Sequence, residues 1–579
     1  MKNIKILKLI LPFLLIILST SIALNAFAVN FSTHGYYRTR IANYDDVDLQ
    51  TQNNSIANSN NRFGFISYNQ MRLRLDPNLK LNDHLSIQAQ IDLLDNILYG
   101  TKETKELNVL SPLVGTLTMP AGAGSFWMTG GVAGDNEAIN IRRIWADILT
   151  PIGKFRIGRQ PSNWGLGIFQ NDGRGAQADF GDTADRILYI IQYDAEDVGT
   201  ITGGVLWDIA YEAQDDQRLG YGGTVRELGM PGNSRDTQQY AAFFLVDRPE
   251  LTAGLLGGIR RRNGKNGAVT MQVTDAMQNQ VWAGIDGDTL LYFVDLSARY
   301  QYENYKIQFE GIYIGGNVTT GLAVDAIPFR GLGAANPSDP CGSGGIICLP
   351  ANQPMQVFMA ALEAEGSYKW GGQWDVEAGY AEGDGHSLSG KITQLGFRPD
   401  YQIALLMFNR PLGTSPSYYG EPAYAPGTTA KLGGGQWITG NFVNNAIYFT
   451  AGYKHEFNIS DSVPGCDWLK VGGKIITAWA PKKNVNIDFS QVIGTANLPI
   501  VSETANTIFK RWYGLEFDLS VEAKFFEYLY TTLEGGILVP GREYNIEVGV
   551  IDPGSLIEPI PTDKANLGWG LRLTATIDF

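Results

Sequence analysis

The sequence has no long apolar run beyond its first residues, and it lacks the excess of basic charge that nucleic-acid binding needs. After residue 28 no apolar stretch approaches about 18 residues, whereas a transmembrane helix needs about 20. The 45 basic residues are outnumbered by 59 acidic ones, for a net charge of −14. A phosphate-binding surface is usually strongly basic. We therefore expect neither a helical membrane protein nor a nucleic-acid partner.

Histidine, the commonest general base, is also scarce, with 4 in the chain. His34 begins a predicted strand, and His84 and His455 fall near one end of predicted strands. His386 lies beside Asp384 and Ser387, but sequence neighbours in a loop seldom form a catalytic triad. We expect no enzyme, no catalytic residues, no cofactor and no metal site. A barrel hydrolase remains a less favoured alternative.

Cysteine is limited to 3 residues. Cys341 and Cys348 lie in a segment rich in glycine and proline, and in an oxidising compartment such a pair predicts a disulfide that closes a loop. Half of a metal site is the alternative, but no histidine is nearby. Cys466 falls in a predicted turn and is assigned no role.

The N-terminus has the three parts of an export signal. Lys2, Lys5 and Lys8 precede a short apolar run over 9–18, and Ala26-Phe27-Ala28 forms a small-x-small cleavage site. The run is too short to cross the hydrocarbon core as an anchor. We predict a cleaved signal peptide over 1–28, followed by a single domain over 29–579.

Alternation with a period of two dominates the rest of the sequence, as in strands whose two faces meet different surroundings. In 70–81 the apolar residues include Met71 and Leu73, and they alternate with Arg72 and Arg74. After the turn at 82–84, the same pattern continues to residue 93. A barrel with one face in lipid and the other in a polar lumen produces this pattern.

Such segments recur to the end of the chain and predict an all-β, up-and-down antiparallel transmembrane barrel of about 18 strands. Short connections alternate with long ones, which is typical of periplasmic turns and extracellular loops. The apolar segment 403–408 could add a hairpin, so 16 to 20 strands stay open. The predicted strands cover 31–41, 69–81, 85–98, 140–150, 154–160, 186–193, 200–212, 238–247, 251–262, 290–302, 305–317, 356–368, 373–384, 443–457, 468–480, 511–525, 528–540 and 566–579.

A soluble β-sandwich also alternates, but its strands average nearer six residues. Many segments here are long enough to cross a bilayer at a tilt. Aromatic residues at predicted strand ends, such as Tyr300, Tyr305, Trp370 and Tyr528, fit an interfacial girdle.

Three stretches carry a resemblance to known outer-membrane proteins. The final segment 574–579 ends in Phe579 and resembles the C-terminal assembly signal of that class. Residues 155–160, which run into Trp164-Gly165, and residues 397–401 resemble porin-type barrels, loosely the alginate-export family of 18-stranded barrels. The resemblance implies an outer-membrane barrel that meets the barrel assembly machinery. It also implies an anion pathway lined by arginines, which this sequence fits only in part.

The alternation also predicts which charges face the lumen, and they fall into two groups. An N-terminal wall would carry the basic residues Arg38, Arg40, Arg72, Arg74, Arg143, Arg156 and Arg572. A later wall would carry the acidic residues Glu310, Glu363, Glu365, Asp375, Glu377, Glu516, Asp518 and Glu522. Opposed walls would set up a transverse field across a water-filled lumen. The alternative is that the charges pair across neighbouring strands and fill the interior.

The third long loop, 161–185, begins with an apolar and tight segment that includes Pro161, Trp164 and Gly165. We predict that it folds inward and narrows the pore, with packing among outer loops as the alternative. Residues 405–408 in the longest loop are a second candidate for a constriction.

Together these patterns predict a porin in the bacterial outer membrane, a passive diffusion channel for small polar or charged solutes. The alternative function is a closed, surface-exposed barrel that acts in adhesion or binding. The expected partners are outer-membrane lipid, lipopolysaccharide, the barrel assembly machinery and small solutes. The sequence leaves the solute, the ion selectivity and the oligomeric state open.

Overall fold

A computed structural model gives the fold of most of the barrel wall and of two loops inside it. Residues 1–28 with the predicted signal peptide, Cys341 and Cys348 with the predicted disulfide, and His386 lie outside the described residues. The structure describes residues 29–46, 49, 65–98, 139–211, 237–262, 269–274, 280–285, 289–318, 353–383, 391–393, 395–410, 412–415, 423–424, 431–432, 436–439, 442–459, 462–482, 511–544, 546–548, 560–563 and 565–579.

The described residues form one antiparallel sheet of 18 strands, which we number β1 to β18 in chain order. Outside this sheet, the described residues form four two-stranded pairs: 269–274 with 280–285, 412–415 with 436–439, 423–424 with 431–432, and 546–548 with 560–563. The strands are Asn30–Asp45, Ile66–Asn82, Leu85–Leu98, Ile139–Thr150, Gly153–Pro161, Thr183–Ala195, Gly199–Tyr211, Thr237–Asp247, Leu251–Arg262, Thr289–Tyr302, Tyr305–Val318, Gln353–Ser367, Gly372–Ala381, Ala446–Phe457, Cys466–Trp479, Trp512–Phe525, Leu529–Pro540 and Gly568–Asp578.

Each strand pairs with the next in the chain, and β1 closes the sheet by pairing with β18. The closing register sets Tyr36 opposite Asp578 and Asp45 opposite Trp569. Gly35 and the C-terminal Phe579 exchange two backbone hydrogen bonds of 2.9 Å beside this seam. Closure leaves no edge strand among the 18 strands that the structure describes, as a bilayer requires.

The two faces of the wall differ as the alternation predicts. On β18, Leu571 and Leu573 are exposed on the outside, while Arg572 and Thr574 are buried on the inside. The same division holds around the barrel, and exposed rings such as Tyr302 and Tyr528 lie by the short turns. An apolar exterior with an aromatic border is what lipid contact requires. The chain is therefore a bacterial outer-membrane β-barrel with a polar interior.

The prediction of 18 antiparallel strands is confirmed, and the sheet excludes an extra pair at 403–408. Those residues form turns inside the barrel, since their backbone N–H groups bond to wall carboxylates rather than to a neighbouring strand. The main differences lie at strand ends. For example, β6 begins at Thr183, three residues earlier than predicted, because Pro161 and Thr183 continue the ladder between β5 and β6.

The apolar core of this barrel lies in its lumen, where two inward-folded segments pack against the wall. We name residues 162–182 loop A and residues 395–410 loop B. Ile168 of loop A and Phe397, Met407 and Phe408 of loop B are almost fully buried. Among the described residues, no helix has the length and apolar character needed to cross a membrane.

Candidate functional site in the barrel lumen

Three arginines of β1 and β2 form the centre of the basic wall. Arg38 faces Arg72 directly in the register, and Arg40 is two residues further along β1. All three side chains are fully buried beneath loop A. Loop A thus covers these three of the predicted pore-lining arginines.

Asp179 of loop A supplies negative charge to this cluster. Its carboxylate oxygens lie 2.8 Å from Arg38 Nη2 and 2.6 Å from Arg40 Nη1, and Arg72 is 3.9 Å away. Burial alone would raise the pKa of Asp179, but the three guanidinium groups hold it far below its ordinary value. The carboxylate therefore stays ionised and ties loop A to the wall.

The backbone of loop A adds neutral acceptors to the same arginines. Arg38 donates to the carbonyl of Ala176 at 2.6 Å, and Arg72 donates to that of Ala178 at 2.8 Å. Each planar guanidinium has several donors, so one carboxylate cannot satisfy three of them. The carbonyls of loop A accept hydrogen bonds from the remaining guanidinium donors. The position of loop A is therefore coupled to the positions of these arginines.

A β-bulge brings a further pair of arginines to loop A. The register between β3 and β4 skips a residue, because Gln90 pairs with Arg143 while Ile91 pairs with Ile141. The skip lets both Arg142 and Arg143 reach inward. Arg143 donates to the carbonyl of Asp172 at 2.6 Å, and Arg142 donates to that of Phe180. Strict alternation assigned only Arg143 to the lumen.

The start of loop A lies against another part of the wall, across β8 to β11. The carboxylate of Glu310 accepts hydrogen bonds from Gly167 N at 2.8 Å and Ile168 N at 3.3 Å. Gly165 has a φ of +55°, and a Cβ there would lie 2.6 Å from a Glu310 oxygen. Trp164 packs so closely on Gly254 that a Cβ on Gly254 would come within 2.9 Å of its ring. Of the three predicted constriction residues, Trp164 and Gly165 lie in the inward loop, and Pro161 ends β5.

Loop B covers the acidic part of the wall. The backbone N–H groups of Leu406 and Met407 each donate to Glu516 at 2.7 Å, and Leu405 N donates to Asp518 at 2.9 Å. At its other end, the Tyr401 hydroxyl donates to Glu363 at 2.7 Å. These acids act as acceptors for a buried loop backbone, which would otherwise lack partners.

The two loops are also bound to each other. The carboxylate of Asp400 in loop B accepts the backbone N–H groups of Asp179, Phe180 and Gly181, at 2.8 Å, 3.1 Å and 2.6 Å. Burial raises the pKa of Asp400 despite these hydrogen bonds. Arg398 forms an ion pair with Asp182. Loops A and B therefore form one connected layer inside the barrel.

Other predicted lumen charges pair within the wall. Arg74 binds Asp92 through two bonds of 2.7 Å and 2.8 Å, Arg156 approaches Asp147 to 2.6 Å, and Arg572 donates to Glu534 at 2.8 Å. The bidentate pairs of Arg74 and Arg156, with the single bond of Arg572, neutralise much of the basic wall locally.

The acidic wall is likewise mixed with lysines. Lys474 lies 2.9 Å from Glu377 and 3.7 Å from Asp375. Lys454 pairs with Glu522 and Lys306 with Glu365, both at 2.6 Å. The sequence interpretation named the acids but not these lysines, although the same alternation places both on the inner face.

No protein-family model matches the chain, and a comparison with curated proteins finds no match. Among solved structures, the anion-selective porin from Comamonas acidovorans is 11% identical at a TM-score of 0.33, with 95% of this chain and 100% of that chain covered. OccK9 (OpdG) of Pseudomonas aeruginosa is 9% identical at a TM-score of 0.39, with 95% and 99% covered. OmpT, an outer membrane protein of Vibrio cholerae, is 10% identical at 0.33, with 95% and 98% covered. The assignment of this chain to the outer membrane rests on its own closed barrel and apolar exterior.

Proposed function

We propose that this barrel is a passive diffusion channel for small polar or charged solutes. The supporting observation is the interior itself, where ionisable side chains of both signs line the wall on nearly every strand. A barrel of this circumference has a lumen wide enough for an aqueous path. Loops A and B occupy part of that lumen and therefore set the width and the charge of the remaining aqueous path.

The expected selectivity follows from where charge is left over after local pairing. Around loop A, the buried arginines Arg38, Arg40 and Arg72 share Asp179, and Arg142 and Arg143 contact mainly loop carbonyls. On the part of the wall beneath loop B, Glu363 of β12 and Glu516 and Asp518 of β16 contact the loop chiefly through neutral donors. The two sides keep opposite signs, although more weakly than seven free arginines and eight free acids would. We propose a transverse field of this reduced strength.

A closed barrel that acts in adhesion or binding is the second candidate. The observation that favours it is the firm attachment of both loops inside the lumen, through Asp179, Glu310, Asp400 and Glu516. If the two loops close the lumen completely, no solute passes.

Reconstitution of the refolded barrel in a planar bilayer distinguishes the two candidates. The channel proposal expects stepwise ohmic conductance and a non-zero reversal potential in a salt gradient. Arg74→Ala and Arg156→Ala, which remove one of the two basic partners of Asp92 and of Asp147, should shift the reversal potential toward cation preference. Verified insertion without conductance would favour the closed barrel.

A further inference from the structure

A cavity of about 600 Å³ lies between loop A and the wall of β4 to β9. This size falls within the range of small-molecule pockets, roughly 300–1,000 Å³. Five arginines line it: Arg142, Arg159 and Arg186 from β4 to β6, Arg260 from β9, and Arg398 from loop B. The cavity is therefore a place where a solute on its way through the barrel meets several guanidinium groups.

Three of these arginines bind a carboxylate through two hydrogen bonds each: Arg186 binds Asp208, Arg398 binds Asp182, and Arg159 binds Asp185. Arg142 donates to the carbonyls of Phe180 and Gly181 and lies 3.4 Å from Asp92. A guanidinium whose charge is already met by a bidentate carboxylate has little left to offer a solute. These pairs build the cavity rather than recognise what enters it.

Arg260 differs from them, because its partner is neutral. Its Nε and Nη2 both donate to the side-chain oxygen of Gln239, at 3.1 Å and 2.7 Å. Within the described part of the chain, no carboxylate lies at ion-pair distance from Arg260. Its positive charge is therefore not compensated by direct contact.

Asp208 explains why Gln239 presents an oxygen to Arg260. The Gln239 amide nitrogen donates to Asp208 Oδ2 at 2.9 Å. An ionised carboxylate can only accept hydrogen bonds, so Asp208 must face the NH₂ group of the amide and not its oxygen. The amide is thus oriented with its nitrogen toward Asp208 and its oxygen toward Arg260. This arrangement holds the guanidinium in place and keeps its charge available.

Apolar side chains complete the cavity beside this charge. Phe169 of loop A and Leu395 of loop B line it. A fixed guanidinium next to apolar surface suits a ligand that carries an anionic group on an apolar body. From this geometry we propose that Arg260 binds the carboxylate of a small organic anion, whose body rests on Phe169 and Leu395. The proposal rests on the channel function and names the class of solute that this cavity retains.

The test uses the refolded barrel in a planar bilayer and benzoate as the probe. Benzoate added to a KCl solution should reduce the single-channel current with saturating dependence on concentration, whereas benzylammonium of similar shape should not. Arg260→Gln should raise the half-blocking benzoate concentration at least about tenfold, since it removes a charge-assisted bond. Gln239→Glu should have the same effect while it keeps the arginine, because it supplies the missing carboxylate.

Arg299→Gln is the matched control. It removes one positive charge from the inner face of β10, where Arg299 lies 3.8 Å from Asp247 near the short turns and away from the cavity. It should leave the block by benzoate unchanged. An equal loss of block in Arg299→Gln would mean that overall charge, not this cavity, retains the anion, and would overturn the proposal.

Failure of this inference is distinguishable from failure of the channel function. A protein that conducts but shows the same benzoate block with and without Arg260 refutes the site and keeps the channel. If the bilayer shows no current, the detergent-solubilised barrel is titrated with benzoate in a calorimeter. Binding that Arg260→Gln abolishes supports the site. Absence of binding overturns it. Equal Arg260-dependent block by inorganic phosphate would overturn the apolar part of the assignment.

Discussion

Replacing Asp179 with asparagine tests how loop A is held inside the barrel. The change preserves the size of the side chain and removes the negative charge that lies 2.8 Å from Arg38 and 2.6 Å from Arg40. Removal of one partner from a buried ion pair costs about 3–5 kcal/mol, because the remaining charge stays buried without compensation. Each 1.36 kcal/mol corresponds to a tenfold change in an equilibrium. The undocked state of loop A should therefore become roughly 10²- to 5 × 10³-fold more populated.

Single-channel recording measures this effect directly. Asp179→Asn should show higher conductance or frequent excursions to a higher level, together with a reversal potential shifted toward anions, since Arg38, Arg40 and Arg72 would then face water. Asp185→Asn is the matched control, because its pair with Arg159 is about half exposed and such surface pairs contribute about 0–1 kcal/mol. If Asp179→Asn and Asp185→Asn gave the same conductance and selectivity as the unmodified barrel, the proposed attachment of loop A would be refuted.

Three further changes probe the same loops. Asp400→Ala leaves three backbone N–H groups of loop A without their acceptor, so current noise should rise and thermal unfolding should begin at a lower temperature. Gly165→Val should displace the start of loop A from Glu310 and change the single-channel conductance, because φ is +55° there. Because the arginines depress the pKa of Asp179, its contribution is complete above its ordinary pKa of about 4 and is lost only as the pH falls through the depressed value. The difference in conductance between the unmodified barrel and Asp179→Asn should thus stay constant from pH 7 to about pH 4 and disappear only in stronger acid. Asp400, whose pKa is raised, is present in both proteins.

Each of these has an outcome that contradicts it. Quiet, unaltered current from Asp400→Ala would mean that the two loops do not depend on each other. Normal conductance from Gly165→Val would mean that loop A tolerates a side chain beside Glu310. Loss of the conductance difference between the unmodified barrel and Asp179→Asn between pH 7 and 5 would mean that the arginines do not keep Asp179 ionised.

The barrel wall could be predicted from the sequence because a closed sheet in a membrane imposes a rule on every residue. Lipid on one side and polar surroundings on the other require strict alternation. The sequence alone therefore assigns Arg72 to the inner face and Leu73 to the outer face. The rule fails where the strand itself is irregular. Arg142 was missed because the bulge on β4 turns two successive arginines inward.

The loops inside the barrel could not be predicted in the same way, because their backbone has no repeating pattern. The apolar start of 161–185 suggested inward folding, but nothing in the sequence marked Asp179 as the partner of arginines more than a hundred residues away. The segment 397–401 was noted only for its resemblance to porin-type barrels. In the structure, Asp400 of this segment accepts a hydrogen bond from loop A, which the resemblance did not indicate. Long-range partners of this kind depend on the assembled barrel.

Planar-bilayer conductance of the refolded barrel tests the central claim most directly. The account predicts stable ohmic steps whose size increases when Asp179→Asn releases loop A, with a reversal potential that shifts toward anions in that variant. Verified insertion with no current from either the unmodified barrel or Asp179→Asn would contradict the channel function and favour a closed barrel that binds partners at the cell surface.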